Sequence, residues 1–325
     1  MANKYKKQLQ LSLPTVRVYQ AIEDQLLINI AKRLKKNKSL MTESGAHAWQ
    51  VKKLAELDSL SQENVKDIAK KSGLAIDEVS KALEEAGYST VKGMEDDLQE
   101  AVRKGKAVKA PKIAESQALK SILLAYQEQA KETFNLVNST LLNQSEQVYN
   151  DILNKTVGLV ATGNKTPTAA LRETTRAWAD QGVPALVDRA GKRWSTEAYV
   201  SLVTRTMTNN IANDMQMARM DEHEIDLVEV SSHADSRPEH IDFQGRIFSR
   251  SGESRKYPPL SETGYGEPDG IGGVNCAHIL FPYIEGVSER RPMDQTKAEA
   301  KKGYKEQQKQ RYLERQIRYA KREMS

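Results

Sequence analysis

The sequence predicts an α+β protein that is mostly α-helical. Helical N-terminal and central regions carry long amphipathic helices, followed by a small β-containing domain near the C-terminus and a basic C-terminal helix. Three observations support this class. Apolar residues recur at steps of three and four, as at Leu119, Leu123, Tyr126, Ala130, Phe134, Val137 and Leu141. Only 6% of residues are aromatic and 29% are charged, which suits elongated helices with much exposed surface better than one dense α/β body. The alternation around Val228 and Val230, and the Gly- and Pro-rich run from 251 to 273, then break the helical pattern.

Pro14 suits the first turn of a helix carrying Ile22, Leu26, Leu27, Ile30 and Leu34. Thr42 is a candidate cap for a second helix with Trp49, Leu54 and Leu57. Ser61 would cap a third that stops at Gly73, and a fourth, around 78–86, would stop at Gly87. Residues 1–102 therefore read as a helical N-terminal domain, and 103–115 as a flexible basic linker. Residues 116–225 form a long-helix region, although Gln144 and Ser145 interrupt its apolar seam. Within it, Thr166, Pro167 and Gly182 punctuate one helix as cap, first residue and stop. The stretch 188–195 reads as a loop, with Ser195 capping a helix that runs through Met217. Residues 226–287 make the β-containing module, with strands near 227–230, 245–250 and 276–283. A last helix fills 288–325.

Charge and cysteine content narrow the functional classes. Residues 288–325 hold 12 Lys+Arg against 6 Asp+Glu, so the net charge of +5 belongs to the tail. Clustered cations attract nucleic acid, but this balance alone does not identify a DNA-binding protein. Tyr304, Tyr312 and Tyr319 recur about every two helical turns, beside a cationic stripe of Arg311, Arg315, Arg318 and Arg322. These seven are the candidate contacts for a protein partner or DNA. No apolar run approaches the ~20 residues of a membrane helix, and the N-terminus lacks a signal peptide's apolar core. The single cysteine, Cys276, excludes an internal disulfide and fits a reducing cytoplasm.

The chemistry-bearing stretch is SSHADSRPEH, residues 231–240. In an extended segment His233, Asp235 and Arg237 share a face, and Pro238 would start a helical turn containing His240. Downstream, Cys276 and His278 share a face in the same way. His233, His240, Cys276 and His278 together offer four nitrogen or sulfur donors, the count and type of a closed tetrahedral zinc site. The spacing matches no standard zinc finger, and a hydrogen-bonded knot built on Asp235, Arg237 and Gln244 explains the same residues without metal. Catalysis is the third reading: a metal-dependent nuclease or toxin-like transferase using His233, Asp235, Arg237 and His240. It lacks a neighbouring acidic pair, and a Cys and His two apart in a strand stand too far from each other for a nucleophile–base contact. The run GYGEPDGIGG (264–273) lacks the helix and Gly-Lys-Ser/Thr ending of a phosphate loop.

SSHADSRPEHIDFQGRIFSRSG, YPPLSETGYGEPDGIGGVNCAHILFPYIEG and QRYLERQIRYAKRE resemble the minor capsid protein 2 family of tailed phages, which is related to the Mu F-like head-morphogenesis proteins. DRAGKRWSTEAYVSLVTRT and YQAIEDQLLINIAKRL extend the resemblance over nearly the whole chain. The sequence departs at Ala277, where a basic residue is expected, and this argues against phosphate contact by that loop. The resemblance implies a virion component made in the bacterial host's cytoplasm and packaged inside the head near the portal. It implies contact with portal, scaffold or major capsid protein, weak non-specific contact with packaged DNA, no membrane and no catalytic residue.

Overall fold

The computed structural model describes residues 2–36, 41–234, 236–291 and 296–324, with the backbone alone at 2–9, 318 and 321–324. In chain order the elements are α1 (Ala2–Lys35), α2 (Ala46–Leu54), α3 (Leu57–Lys92), α4 (Glu95–Arg103), α5 (Gln117–Ala161) and α6 (Pro167–Gln181). There follow β1 (Pro184–Val187), β2 (Arg193–Ser195), α7 (Thr196–Glu222), β3 (Leu227–Val230), β4 (Ile247–Ser249), β5 (Leu280–Pro282) and α8 (Lys297–Met324). The class is α+β and mostly helical.

Several local expectations give way, and Thr42 does not cap α2, which follows Gly45 and has no side-chain cap. Pro14 lies inside α1, because the Lys- and Gln-rich residues before it are good helix formers and only one backbone bond is lost at the proline. Gly73 and Gly87 do not end helices, and α3 runs through both. A glycine inside a helix costs about 1 kcal/mol relative to alanine, less than is gained by burying the flanking Ile68, Ala75, Val79 and Leu83. Ser61 is therefore interior, and its hydroxyl donates to the Leu57 carbonyl at 3.1 Å and to Glu146 at 2.5 Å. The presumed loop at 188–195 is half of a hairpin, with Leu186 paired to Trp194 and Val187 to Arg193. Its turn is closed by Asp188 Oδ1, which accepts from the backbone of Ala190 and Lys192, and by Gly191 at φ +79°. The caps at Thr166 and Gly182 stand as expected.

Residue contacts divide the chain into two units. One comprises Thr15–Asp77, Lys131–Ser201 and Tyr312–Ser325. Its core joins Ile30, Leu34, Trp49 and Leu60 to Tyr149, Ile152, Leu153, Leu171 and Trp178. The polar break in the α5 seam is satisfied. Asn64 Nδ2 donates to Ser145 Oγ at 3.0 Å, and Asn29 Nδ2 donates to Asn64 Oδ1 at 3.0 Å. A buried hydrogen-bonded run of this kind trades some hydrophobic stabilisation for a defined register.

The other unit comprises Met1–Pro14, Glu78–Ala130 and Leu202–Arg311. Its antiparallel sheet has the order β4-β3-β5, with Val228 opposite Phe248 and Pro282. Met94, Leu98, Met220, Val228, Phe248, Ile271 and Leu280 share one apolar cluster. A Cβ on Gly87 would lie 2.1 Å from Met215 Sδ, so glycine there admits α7 closely rather than ending α3. The basic stretch after α4 is irregular but tied down. His223 Nδ1 lies 2.8 Å from the Val108 carbonyl, Arg219 donates to the Pro111 carbonyl at 2.7 Å, and Lys106 to that of Glu285 at 2.8 Å. Of the expected strand at 276–283, only Leu280–Pro282 is strand. Asn275 sits at φ +56° and Cys276 N turns back to the Gly273 carbonyl, so the chain is still bending there.

Candidate functional site

The site begins where β3 ends. Ser231 continues the pairing for one residue, its backbone N–H donating to the Ile279 carbonyl at 2.9 Å and its hydroxyl accepting from Ile279 N at 2.9 Å. Pro238 opens a 3-10 helix over Pro238–Phe243, which turns His240 inward. On the facing segment, Asn213 of α7 holds both sides of one peptide run. Its Nδ2 donates to the His278 carbonyl at 3.0 Å, and its Oδ1 accepts from Leu280 N at 2.9 Å.

Three donors converge between these segments. Cys276 Sγ is 3.4 Å from His278 Nδ1 and 3.8 Å from His240 Nδ1. All three residues are buried. The Cys276–His278 contact reverses the expectation from strand geometry: the segment bends before β5, so side chains two apart converge. His233 lies half-buried against the group, its ring centroid 4.3 Å from that of His278. Its backbone N–H donates to Gln244 Oε1 at 2.6 Å. Among the described residues, His240, Cys276 and His278 are the one set of three or more His, Cys, Asp or Glu with ligand atoms in common reach.

The glycine-rich run forms a collar. A Cβ on Gly270 would lie 1.9 Å from the Gly264 carbonyl oxygen, and one on Gly273 2.2 Å from that of Glu267. This close packing aims carbonyls at the site. His240 Nε2 is 2.7 Å from the Asp269 carbonyl, and Arg237 Nη2 donates to that of Val274 at 2.6 Å. Acceptors of this kind repel phosphate, so the collar positions side chains and does not cradle an anion.

Burial pushes the Cys276 thiol up and holds both imidazoles below the ordinary histidine range, His278 furthest. The group is therefore neutral around neutral pH. It can accept a cation through sulfur and nitrogen, and among the described residues no carboxylate belongs to the set.

Above the three donors a pocket opens, lined by Arg205 of α7, by Arg237, and by Tyr304, Gln307, Gln308 and Arg311 of α8. A reciprocal cap starts that helix: Thr296 Oγ1 accepts from Glu299 N at 3.2 Å, and Glu299 Oε2 accepts from Thr296 N at 2.7 Å. Tyr304 and Arg311, read in the sequence only as tail contacts, thus sit beside the histidine cluster. Further along, Tyr312 and Arg315 are exposed and Tyr319 is half-buried. Asp235 and the side chains of Arg318 and Arg322 lie outside the described residues. Sequence reasoning missed Arg205, Asn213 and the Asp269 carbonyl, because a polar residue on a helix carries no mark of what folds against it.

Among the described residues no helix is long and apolar enough to cross a membrane. The sequence model of a family described as Phage minor capsid protein 2 matches residues 5–325. A "Structural protein" of Lactococcus phage LL-H is 32% identical over 283 residues, 83% of this chain and 75% of that protein. Another, from Lactococcus phage mv4, is 48% identical over 63 residues, 19% of this chain and 51% of that protein. No solved structure matches significantly.

Proposed function

The chain belongs to the phage minor capsid protein 2 family, and from that premise we propose that it is a minor structural protein packaged inside a tailed-phage head near the portal. There it acts in head morphogenesis and in DNA packaging or ejection. Its partners are the portal, scaffold or major capsid protein, with weak, sequence-independent contact to DNA. The observation that carries a docking role is the far half of α8. Tyr312, Leu313 and Ile317 are 53%, 49% and 55% exposed on one helix, with Arg315 between them. Large apolar side chains exposed together, rimmed by cations, favour a protein surface with acidic character. A head-carried nuclease or transferase is the weaker reading, because among the described residues no acidic pair for phosphoryl chemistry accompanies the donors.

The test is co-purification of the full chain with portal protein from assembling heads, at rising salt. Retention at high salt supports an apolar-anchored protein contact. A steep loss of affinity with salt, together with DNA in the eluate, would point to phosphate contacts instead.

A further inference from the structure

We propose that His240, Cys276 and His278 form a binding site for one zinc-type divalent cation, with the fourth coordination position facing the pocket beside His233. The donor set comes first. One thiol and two imidazoles are the ligands that a borderline-soft, tetrahedral ion selects, and oxygen-seeking ions such as magnesium and calcium are poorly served by them.

The distances agree with that geometry. Zinc–sulfur and zinc–nitrogen bonds of about 2.3 and 2.0–2.1 Å at a tetrahedral angle place the two ligand atoms about 3.5 Å apart. The two sulfur–nitrogen separations, 3.4 and 3.8 Å, bracket this value, and all three ligand atoms lie within 4.8 Å of one another. An ion can therefore be seated by side-chain adjustment.

The supporting bonds point the same way. His240 Nε2 is committed to the Asp269 carbonyl at 2.7 Å. The proton must then be on Nε2, which leaves the Nδ1 lone pair directed at Cys276. Metal-bound histidines usually have this arrangement, with the far nitrogen donating to a carbonyl. Ser236 Oγ lies 3.4 Å from His278 Nε2 and can do the same for the second imidazole. The frame is rigid: Asn213 pins the backbone on both sides of Ile279, and the collar glycines cannot take a side chain.

A hydrogen-bonded knot alone would not need three donors turned toward one point, with the thiol as their shared neighbour. Three protein ligands enclose one side of the ion. His233 closes the site if its ring swings in, and otherwise a water does so from the pocket.

The experiment uses the full chain, stripped with a strong chelator and then titrated with Co2+ and Zn2+. Expected are about one zinc per chain by elemental analysis, a tetrahedral cobalt visible spectrum with a thiolate charge-transfer band, and a melting temperature that rises on adding zinc. Cys276→Ala, checked for folding by circular dichroism, should lose the charge-transfer band, and His240→Ala should lose tetrahedral cobalt. If either variant fails to fold, the wild-type cobalt titration decides. A wild-type chain that takes up no cobalt or zinc, and melts at the same temperature with and without them, overturns the site and leaves only the knot.

Discussion

Gly303 of α8 lies against Ala234, so that a Cβ at position 303 would sit 2.5 Å from the Ala234 carbonyl oxygen. The missing side chain lets α8 press onto the segment that carries His233, and so brings Tyr304 and Arg311 to the pocket. Gly303→Ala should force the helix off this segment, costing about 1–3 kcal/mol as overpacking does. Gly73→Ala is the matched control, since nothing lies within 4 Å of its Cβ. It should stabilise by about 0.5–1 kcal/mol. Thermal unfolding of the two variants should move in opposite directions, and movement in the same direction would show that α8 is not held by this contact.

Asn213 should be among the costlier polar residues to remove. Asn213→Ala strands the His278 carbonyl and the Leu280 N–H in a buried site, at about 1–3 kcal/mol for each group left unpaired. Asn213→Asp keeps the acceptor but sets a buried, unpaired carboxylate against the His278 carbonyl, so it should cost more than alanine. Denaturant unfolding of both variants gives the order, and equal losses would mean that only the packing of the side chain matters.

Arg219 is fully buried between two carboxylates, donating to Glu95 at 2.6 and 3.0 Å and to Glu222 at 2.7 Å. Burial alone would raise the Glu95 carboxyl, but the Arg219 hydrogen bonds and charge outweigh it, and the group is held below the ordinary range. A carboxylate whose folded pKa is depressed stabilises the fold above its unfolded pKa of about 4.3, and that contribution is lost as pH falls through the folded value. The acid limb of the stability curve should therefore be flatter in Glu95→Gln than in wild type. Arg219→Ala should cost about 3–5 kcal/mol, because it leaves buried charge uncompensated.

The exposed apolar residues of α8 separate docking from stability. Leu313→Asp with Ile317→Asp should change stability by less than about 0.5 kcal/mol, as surface changes usually do. Incorporation into heads, measured by quantitative blotting of purified particles, should fall strongly. Normal incorporation of the double variant would remove this helix face from the docking account.

Much of the architecture was legible in the sequence because it depends on short-range rules. The amphipathic period exposed α5, Thr166 with Pro167 and Gly182 bounded α6, and the alternation around Val228 and Val230 marked β3. The errors were of two kinds. Gly73, Gly87 and Pro14 carry local stop or start signals, yet helices run through them because packing on either side outweighs a penalty of about 1 kcal/mol for glycine and one lost bond for proline. The hairpin of Leu186 with Trp194 was missed because its strands are short and its turn chemistry, Asp188 followed by Gly191, was read as loop alone.

For the candidate site, the sequence by itself determined which donors exist and that His233, His240, Cys276 and His278 belong to one β-containing stretch. It also determined that the basic residues collect in the last helix, since composition and spacing need no fold to be read. Only the tertiary structure decided that three of the donors face one point and that Tyr304 and Arg311 join them at the pocket. Those meetings depend on the bend at Asn275, on carbonyls offered by Asp269 and Val274, and on the close approach permitted at Gly303. Backbone carbonyls are identical in every residue and a contact between segments separated by tens of residues has no local code, so only the folded chain can set them.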